Sequence, residues 1–309
     1  MAYRSYAKRR PTRRYSTKKK SSSRRRLYVR KRSTYRSRRM SKKVVLNTTS
    51  RKKRNGMLSW SNTNGNGASK PVAAGTGFVA GGTIGVFVFC PTAMNLLQGG
   101  TNPNYMINTA ERTATTCYMR GFAENLRVQT NSHIPWFHRR ICFTTKGINP
   151  FNNTASSDTP TQPWSPYVDT SNGMERLFFN ENINAQPATL AAQYELLFKG
   201  AQNQDWDDLI TAAIDTTRVD LKFDKTWLLT SQNESGTIKV RKLWHPMNKN
   251  IVYADDESGE SMASAYGSVG GKQGMGDYYI MDVFQSGLGA SSTDLLSVFS
   301  NATLYWHEK

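Results

Sequence analysis

The positive charge of this chain is concentrated at its N-terminus. Residues 1–54 contain 24 of the 42 Lys and Arg residues and no Asp or Glu, and the first acidic residue is Glu111. Residues 55–309 therefore hold 18 bases and all 22 acids, a net charge of −4. A segment like residues 1–54 cannot bury enough apolar surface to offset its ordering entropy, and its charges repel one another. We expect an extended basic arm attached to a folded, slightly acidic body.

The arm is suited to a polyanionic partner. Lys and Arg release condensed counterions when they neutralise phosphates, so the affinity for nucleic acid grows with the number of bases. Basic clusters of this density are also typical of nuclear localisation signals, although cellular basic tails share the composition. The predicted nucleic-acid-binding residues are Lys8, Arg9, Arg10, Arg13, Arg14, Lys18, Lys19, Lys20, Arg24, Arg25, Arg26, Arg30, Lys31, Arg32, Arg36, Arg38, Arg39, Lys42, Lys43, Arg51, Lys52, Lys53 and Arg54.

Tyrosines are interleaved with the basic clusters of the arm. A Tyr ring that stacks on an unpaired base contributes ~1–3 kcal/mol, and Tyr15, Tyr28 and Tyr35 are the candidates for this contact. In the alternative interpretation these tyrosines merely accompany a low-complexity sequence. Both interpretations stay open at the level of sequence.

Residues 78–309 have the pattern of an all-β domain. Residues 218–224 alternate apolar and charged side chains, which is typical of a strand with one buried face. Many short strands joined by long polar loops predict a β-sandwich or jelly roll. Residues 55–77 are rich in Asn, Gly, Ser and Thr and are predicted to be a flexible linker. Strands are predicted at 83–89, 122–130, 137–144, 194–199, 218–224, 237–243, 251–254, 278–284 and 302–307.

One short helix is predicted within the body. Asp205 is a candidate N-cap, and the apolar residues between 206 and 213 fall on one stripe at helical spacing. Residues 147–193 and 255–276 are predicted to be long loops, because they are polar and contain few strand signals.

The sequence contains no catalytic motif that we would defend. The four His residues are dispersed, and the spacing of Cys90, Cys117 and Cys142 fits neither a zinc site nor a disulfide framework, so the thiols are expected to be buried. Gly-x-Ser-x-Gly and Walker-type phosphate loops are absent from the sequence. The acidic residues between 255 and 260 are interpreted as a solvated turn, with cation binding as the alternative. We predict a protein that is not an enzyme and has no cofactor or metal.

Basic residues in the predicted strands are candidates to extend the basic surface onto the body. They are Arg139, Arg140, Lys239, Arg241 and Lys242. The alternative interpretation is a solvated strand face without a partner.

No membrane partner is expected. The N-terminus is charged and lacks the apolar segment of a secretory signal. The most apolar early stretch, residues 78–90, is 13 residues long, which is too short to cross a bilayer. We expect synthesis in the cytoplasm.

Several long segments of the chain together carry a resemblance to a known family. They are RSRRMSKKVVLNTTSRKKRNGMLS, TATTCYMRGFAENLRVQTNSHIPWFHRRICFTTKG, NQDWDDLITAAIDTTRVDLKFDKTWLL, LWHPMNKNIVYADDE, GMGDYY and TLYWHEK. These segments resemble the capsid proteins of genomoviruses, the gemycircularvirus-like circular single-stranded DNA viruses related to geminiviruses. The resemblance covers the chain from about residue 38 to the C-terminus, and the departures lie in loops near 61–77, 98–108 and 150–190.

The resemblance implies a single eight-stranded viral jelly roll that assembles, as about sixty copies, into a small icosahedral shell around a circular single-stranded DNA genome. It also implies that the arm lies inside the virion and that the protein helps to carry DNA into the host nucleus through import receptors. Sixty arms would bring roughly 1,440 positive charges to neutralise phosphates.

Two other functions are compatible with the arm. One is a viral DNA-binding nuclear transport protein that forms no shell, and the other is a cellular chromatin- or RNA-binding protein with a basic tail. Particle formation with DNA distinguishes the shell protein from both.

Overall fold

The computed structural model describes residues 40–99 and 101–309, so most of the predicted arm lies outside the described residues. The described chain is mostly β-strand, as predicted. Its helices are α1 (Lys42–Thr49) and α2 (Pro187–Leu197), with a 3-10 turn at Glu181–Ile183. The strands are β1 (Arg51–Thr63), β2 (Ser69–Ala74), β3 (Gly77–Ala80), β4 (Ile84–Phe89), β5 (Leu97–Gln98), β6 (Asn102–Pro103), β7 (Thr116–Thr130), β8 (Trp136–Thr145), β9 (Val168–Thr170), β10 (Gly173–Phe178), β11 (Asp220–Leu229), β12 (Ile238–Val252), β13 (Asp256–Ser258), β14 (Ser261–Ala263), β15 (Asp277–Ser286) and β16 (Leu295–Glu308).

Two large sheets form a β-sandwich. The larger sheet has the order β12-β7-β16-β1-β10-β9, with β2 beside β1 and β3 beside β16, and the smaller sheet has the order β11-β8-β15-β4. The pairing is nested in sequence: β1 pairs with β16, β4 with β15, β7 with β12 and β8 with β11, all antiparallel. This pairing places the N-terminal strand, which follows the arm, in the middle of the larger sheet.

The main apolar core lies between the two sheets. Phe122, Leu304 and Trp306 come from the larger sheet, Phe143 and Ile280 from the smaller one, and all five are fully buried. The three cysteines are free and buried, as predicted. Burial raises the pKa of each thiol, to about 12 for Cys142, so these cysteines are unreactive packing residues.

Four buried charged side chains also join the sheets. Glu124 on β7 and Arg176 on β10 belong to the larger sheet, whereas Arg140 on β8 and Asp282 on β15 belong to the smaller one. Arg140 is hydrogen-bonded to both oxygens of Asp282 at 2.7 and 2.8 Å, and it also contacts Glu124. Arg176 donates to Glu124 Oε1 and to Asp282 Oδ2, each at 2.8 Å. We call these four residues the charge quartet.

Each charge in the quartet has partners that offset its burial. Burial alone would raise the pKa of Glu124, but the Arg140 and Arg176 guanidinium groups outweigh it and lower the pKa to about 2. The pKa of Asp282 is held well below its usual range, against the effect of burial, chiefly by Arg140. Both carboxyl groups are therefore ionised at neutral pH, and the quartet is neutral overall.

The Asp282→Ala substitution tests this network. It leaves two guanidinium groups short of a partner in the core, and we expect it to lower the free energy of unfolding by ~3–5 kcal/mol. Asp220→Asn is the control, because Asp220 pairs with Lys222 and Lys249 at the surface, where such pairs contribute ~1 kcal/mol or less. Urea unfolding measures the free energy of unfolding of both variants. Equal losses of free energy would show that the quartet does not hold the two sheets together.

The predicted linker is wrong, because most of residues 55–77 lies in β1 and β2. Its polar side chains suggested a loop, but several are buried and hydrogen-bonded within the sandwich. Asn55 Nδ2 donates to the carbonyl of Met174 at 2.8 Å, and Ser61 Oγ lies 2.8 Å from Thr63 Oγ1. The predicted boundary at residue 54 also falls inside β1, so Arg51–Arg54 belong to the folded body.

The helix predicted after Asp205 is also wrong: residues 205–213 form turns. The Asp side chains there cap local turns, since Asp208 Oδ1 accepts from the amide of Ile210 at 2.9 Å and so competes with helix formation. The helix α2 instead covers part of the predicted strand 194–199 and the end of the predicted loop 147–193, which also holds β9 and β10. Pro187 begins α2, a position where its missing N–H costs nothing.

A buried carboxyl group anchors α2. Glu181 Oε2 accepts from Gln186 Nε2 at 2.7 Å and from Gln193 Nε2 at 2.8 Å. Burial raises the pKa of Glu181 to about 8. The folded protein therefore keeps this group protonated at pH 7, whereas the unfolded chain ionises it near its ordinary pKa of 4.5.

This pKa difference makes stability fall as pH rises from about 4.5 to 8. The variant Glu181→Gln cannot ionise, so we expect it to exceed the wild type in unfolding free energy at pH 9 by ~2 kcal/mol or more, given ~1.4 kcal/mol per pKa unit. Near pH 4 the two proteins should be equal. Urea unfolding at both pH values measures the difference, and a difference independent of pH would contradict the protonated state.

Within the described residues, no helix combines the length and the apolar content needed to cross a bilayer.

Candidate nucleic-acid interface

The strand β1 divides the predicted basic residues between two environments. Lys53 is only 4% exposed and points into the sandwich. Its Nζ donates to the carbonyl of Glu111 at 2.7 Å and lies 3.3 Å from Glu308 Oε2. The neighbouring Lys52 and Arg54 are exposed, because successive side chains of a strand point to opposite faces. The prediction that Lys53 binds nucleic acid is therefore wrong, since this side chain stabilises the body.

The outer face of the larger sheet continues this basic surface. Lys52 and Arg54 lie across from His307 and Tyr305 of β16, which in turn lie across from Tyr118 and Gly121 of β7. The exposed bases on this face are Lys52 and Arg54 on β1, Arg120 and Arg127 on β7 and Lys242 on β12. We call this surface the basic sheet face.

A β-bulge positions one of these basic side chains, Arg120. Against β16, the register of β7 shifts between Gly121 and Met119, which leaves Arg120 as the extra residue, whereas β12 has two residues, Met247 and Asn248, opposite Arg120. A bulge of this kind redirects the side chain of the extra residue. Arg120 is exposed and its Nη1 contacts Asn248 Oδ1 on β12.

The basic sheet face contains no acidic side chain from its four strands. All residues of β1, β7, β12 and β16 are described, and their only carboxylates are Glu124 and Glu308, each 2% exposed and turned into the core. The pKa of His307 is lowered by partial burial and then by Arg120 and Lys52, which is the response expected in a positive local potential. The arrangement attracts anions and offers them exposed Arg and Lys donors.

Aromatic rings are interspersed with these bases. The guanidinium of Arg127 lies 4.0 Å above the Phe299 ring. The Trp244 and Tyr305 rings are 6.0 Å apart, and the Tyr118 and His307 rings are 5.9 Å apart. Surfaces that bind single-stranded nucleic acid commonly combine basic side chains with accessible aromatic rings.

The structure corrects the predicted extension of the basic surface onto the body. Arg140 belongs to the charge quartet, and Arg139 is buried in a bidentate pair with Asp224 at 2.9 and 2.7 Å. Arg241 packs over Trp227, 4.7 Å from its ring centroid, on the opposite side of β12 from Lys242. Lys239 is exposed, but it lies across from the buried Val128 and so points away from the basic sheet face. Only Lys242 of the five lies on that face.

Sequence reasoning missed most of this surface. Arg120, Arg127, Trp244, Tyr305 and His307 all lie in segments that were predicted as strands or directly extend them. The sequence signal lies in residues 301–307, where Asn301, Thr303, Tyr305 and His307 alternate with the apolar Ala302, Leu304 and Trp306. The face only becomes visible once β1, β7, β12 and β16 are known to be neighbours.

The described part of the chain begins near the end of the predicted arm. The basic residues up to Arg39, the tyrosines Tyr15, Tyr28 and Tyr35, and the side chains of Lys42 and Lys43 lie outside the described part of the chain. The described chain enters through α1, whose N-cap Ser41 accepts from the amide of Val44 at 3.3 Å. Since α1 leads into Arg51, the arm joins the body at the first residue of β1, one of the strands that form the basic sheet face.

The acidic segment at 255–260 is partly structural. Asp255 forms a bidentate pair with the buried Arg112, at 2.6 and 3.0 Å, so the interpretation as a solvated turn is wrong for this residue. Asp256, Glu257 and Glu260 are exposed. In the described residues no group of three or more His, Cys, Asp or Glu side chains is arranged to hold a metal ion.

Comparison with protein-family models and with curated proteins found no match for this chain. The interface is therefore defined by geometry and charge.

The adjacent residues Lys52 and Lys53 provide a matched test. Lys52→Ala should leave the free energy of unfolding within ~0.5 kcal/mol of wild type, and it should reduce the salt dependence of single-stranded DNA binding by ~0.7 in log–log slope. Lys53→Ala should cost roughly 3 kcal/mol of stability, because it leaves Glu308 buried without its cation, and should not change the salt slope. Urea unfolding and fluorescence anisotropy measure the two quantities. A reversed pattern would contradict the orientation of β1.

Proposed function

We propose that this chain is a viral capsid protein, a single jelly roll that self-assembles into a small icosahedral shell and packages circular single-stranded DNA. The observation that carries the proposal is the direct connection of an acid-free basic arm to a β-sandwich with nested strand pairing. The arm condenses the genome through its charge, and the sandwich supplies the wall. The same arm serves nuclear import, so the protein acts in the virion and in the host nucleus.

The strand order supports the jelly-roll assignment. The eight strands β1, β4, β7, β8, β11, β12, β15 and β16 pair first with last, second with seventh, third with sixth and fourth with fifth. This is the pattern of a long hairpin rolled into two four-stranded layers, and viral capsid domains commonly use it. Other jelly rolls have different functions, so the charge distribution carries the functional part of the argument.

The division of charge supports packaging. Residues 1–39 hold 18 bases and no acid, and the basic sheet face adds exposed bases on the body at the side where the arm joins. An arm and a face of the same sign favour placing both on the inside of a shell, against the genome. Binding through phosphates is independent of sequence and weakens steeply with salt.

Particle imaging with nuclease protection tests the proposal. The full chain, expressed in cells, should form closed particles of uniform size that protect single-stranded DNA. A variant in which the Lys and Arg residues of 1–39 are replaced by Gln should keep the folded body. Its particles should protect at least about tenfold less DNA than those of the wild type. Deletion of residues 1–39 is the parallel variant.

Two results would overturn it. Particles of the Gln variant with unchanged DNA content would exclude packaging by the arm. Irregular complexes of the full chain with DNA, without closed particles, would favour the nuclear transport protein.

A further inference from the structure

We infer that the basic sheet face binds unpaired nucleobases on Trp244 and Tyr305 and that this contact, not the arm, makes the protein prefer single-stranded over double-stranded nucleic acid. The inference rests on the proposed function and names the part of the molecule that selects the form of the genome. Electrostatic attraction by Lys and Arg does not require unpaired bases, so a preference for single strands needs a second contact.

Trp244 has the exposure of a binding residue. Its side chain is 48% exposed, although an indole of this size is normally largely buried. It lies on an outward position of β12 between Leu243 and the buried His245. One large ring is thus left facing solvent among basic side chains, where an unpaired base finds both a stacking surface and phosphate donors.

Gly121 holds the Trp244 ring against the sheet. A Cβ atom at Gly121 would come within 2.6 Å of Trp244 Cζ2 and 2.8 Å of Cη2. Only glycine allows the indole to approach the backbone of β7 this closely. The ring therefore lies against the sheet, with the Tyr305 ring 6.0 Å away, so little ordering is needed on binding.

The surrounding Lys and Arg side chains are placed to bind the phosphate backbone of the same single-stranded nucleic acid. Arg54 lies across from Tyr305, Lys52 lies across from His307, and Arg120 projects from the bulge next to Gly121. Neighbouring strands are about 4.8 Å apart, so β12 to β1 spans roughly the length of two nucleotides. The nucleobases of a duplex are paired and stacked on each other, so their faces cannot reach the Trp244 ring.

The test uses the full chain with labelled oligodeoxynucleotides of equal length, one a single-stranded dT oligomer and the other a duplex. We expect Trp244→Ala to weaken binding of the single strand at least about fivefold, since one stacked base contributes about this much or more. Binding of the duplex should change less than about twofold. Trp244→Phe should restore part of the preference, because it keeps an aromatic face.

Tyr105→Ala is the matched control. Tyr105 is 62% exposed, but it lies in the loop between β6 and β7 and not on the basic sheet face. Its removal should leave both affinities unchanged. A thermal unfolding midpoint close to that of wild type for each variant shows that the body is intact.

Photocrosslinking locates the contact independently. A single strand that carries 5-iododeoxyuridine should crosslink to the tryptic peptide of residues 243–249, which contains Trp244, or to Tyr305. The inference is overturned if the wild type binds both forms equally, if Trp244→Ala leaves the ratio of affinities unchanged, or if all crosslinks map to residues 1–50. Failure of the full chain to bind either form at low salt would instead overturn the proposed function.

Discussion

The charge quartet is the interaction on which the sandwich depends. Two carboxylates and two guanidinium groups are removed from water between the sheets, and such burial is tolerated only when every charge keeps well-placed partners. The partners come from opposite sheets: Arg140 reaches Glu124, and Arg176 reaches Asp282. These contacts are satisfied together at one relative position of β7, β8, β10 and β15. The apolar core supplies attraction between the sheets, and the quartet restricts how they can be aligned.

The same inward placement of carboxylates determines the outer surface. Glu124 enters the quartet and Glu308 pairs with Lys53, so both acids of the four central strands are neutralised inside. The exposed positions of these strands then carry basic, aromatic, polar and small side chains and the aliphatic residues Leu58, Ile238 and Val240, but no acidic side chain. Internal packing and external charge are therefore coupled by strand alternation, and an anionic polymer meets no repulsive side chain from those strands.

Several elements of the fold were predictable from local pattern. The strands at 122–130, 137–144, 278–284 and 302–307 follow from β-branched and aromatic runs, and the structure confirms them. Two of the errors, the linker and the surface position of Arg140, have one common cause. Asn55, Ser61 and Thr63 were assigned to a linker because polar residues favour loops, and Arg140 was assigned to a surface because charge favours water. Asn55 and Arg140 are hydrogen-bonded in the interior by Met174 and Asp282, far along the chain, and Ser61 and Thr63 are bonded to each other. Buried polar groups satisfied in this way are not visible to a local pattern.

The amino-acid sequence alone determined the separation of charge along the chain and the all-β character of the body, because both depend on composition and on period-two alternation. Only the tertiary structure decided which bases are accessible. Lys52 and Lys53 are chemically identical neighbours, yet one faces solvent and the other pairs with Glu308 at the far end of the chain. Strand pairing over more than two hundred residues fixes that orientation, and no local pattern of residues encodes it.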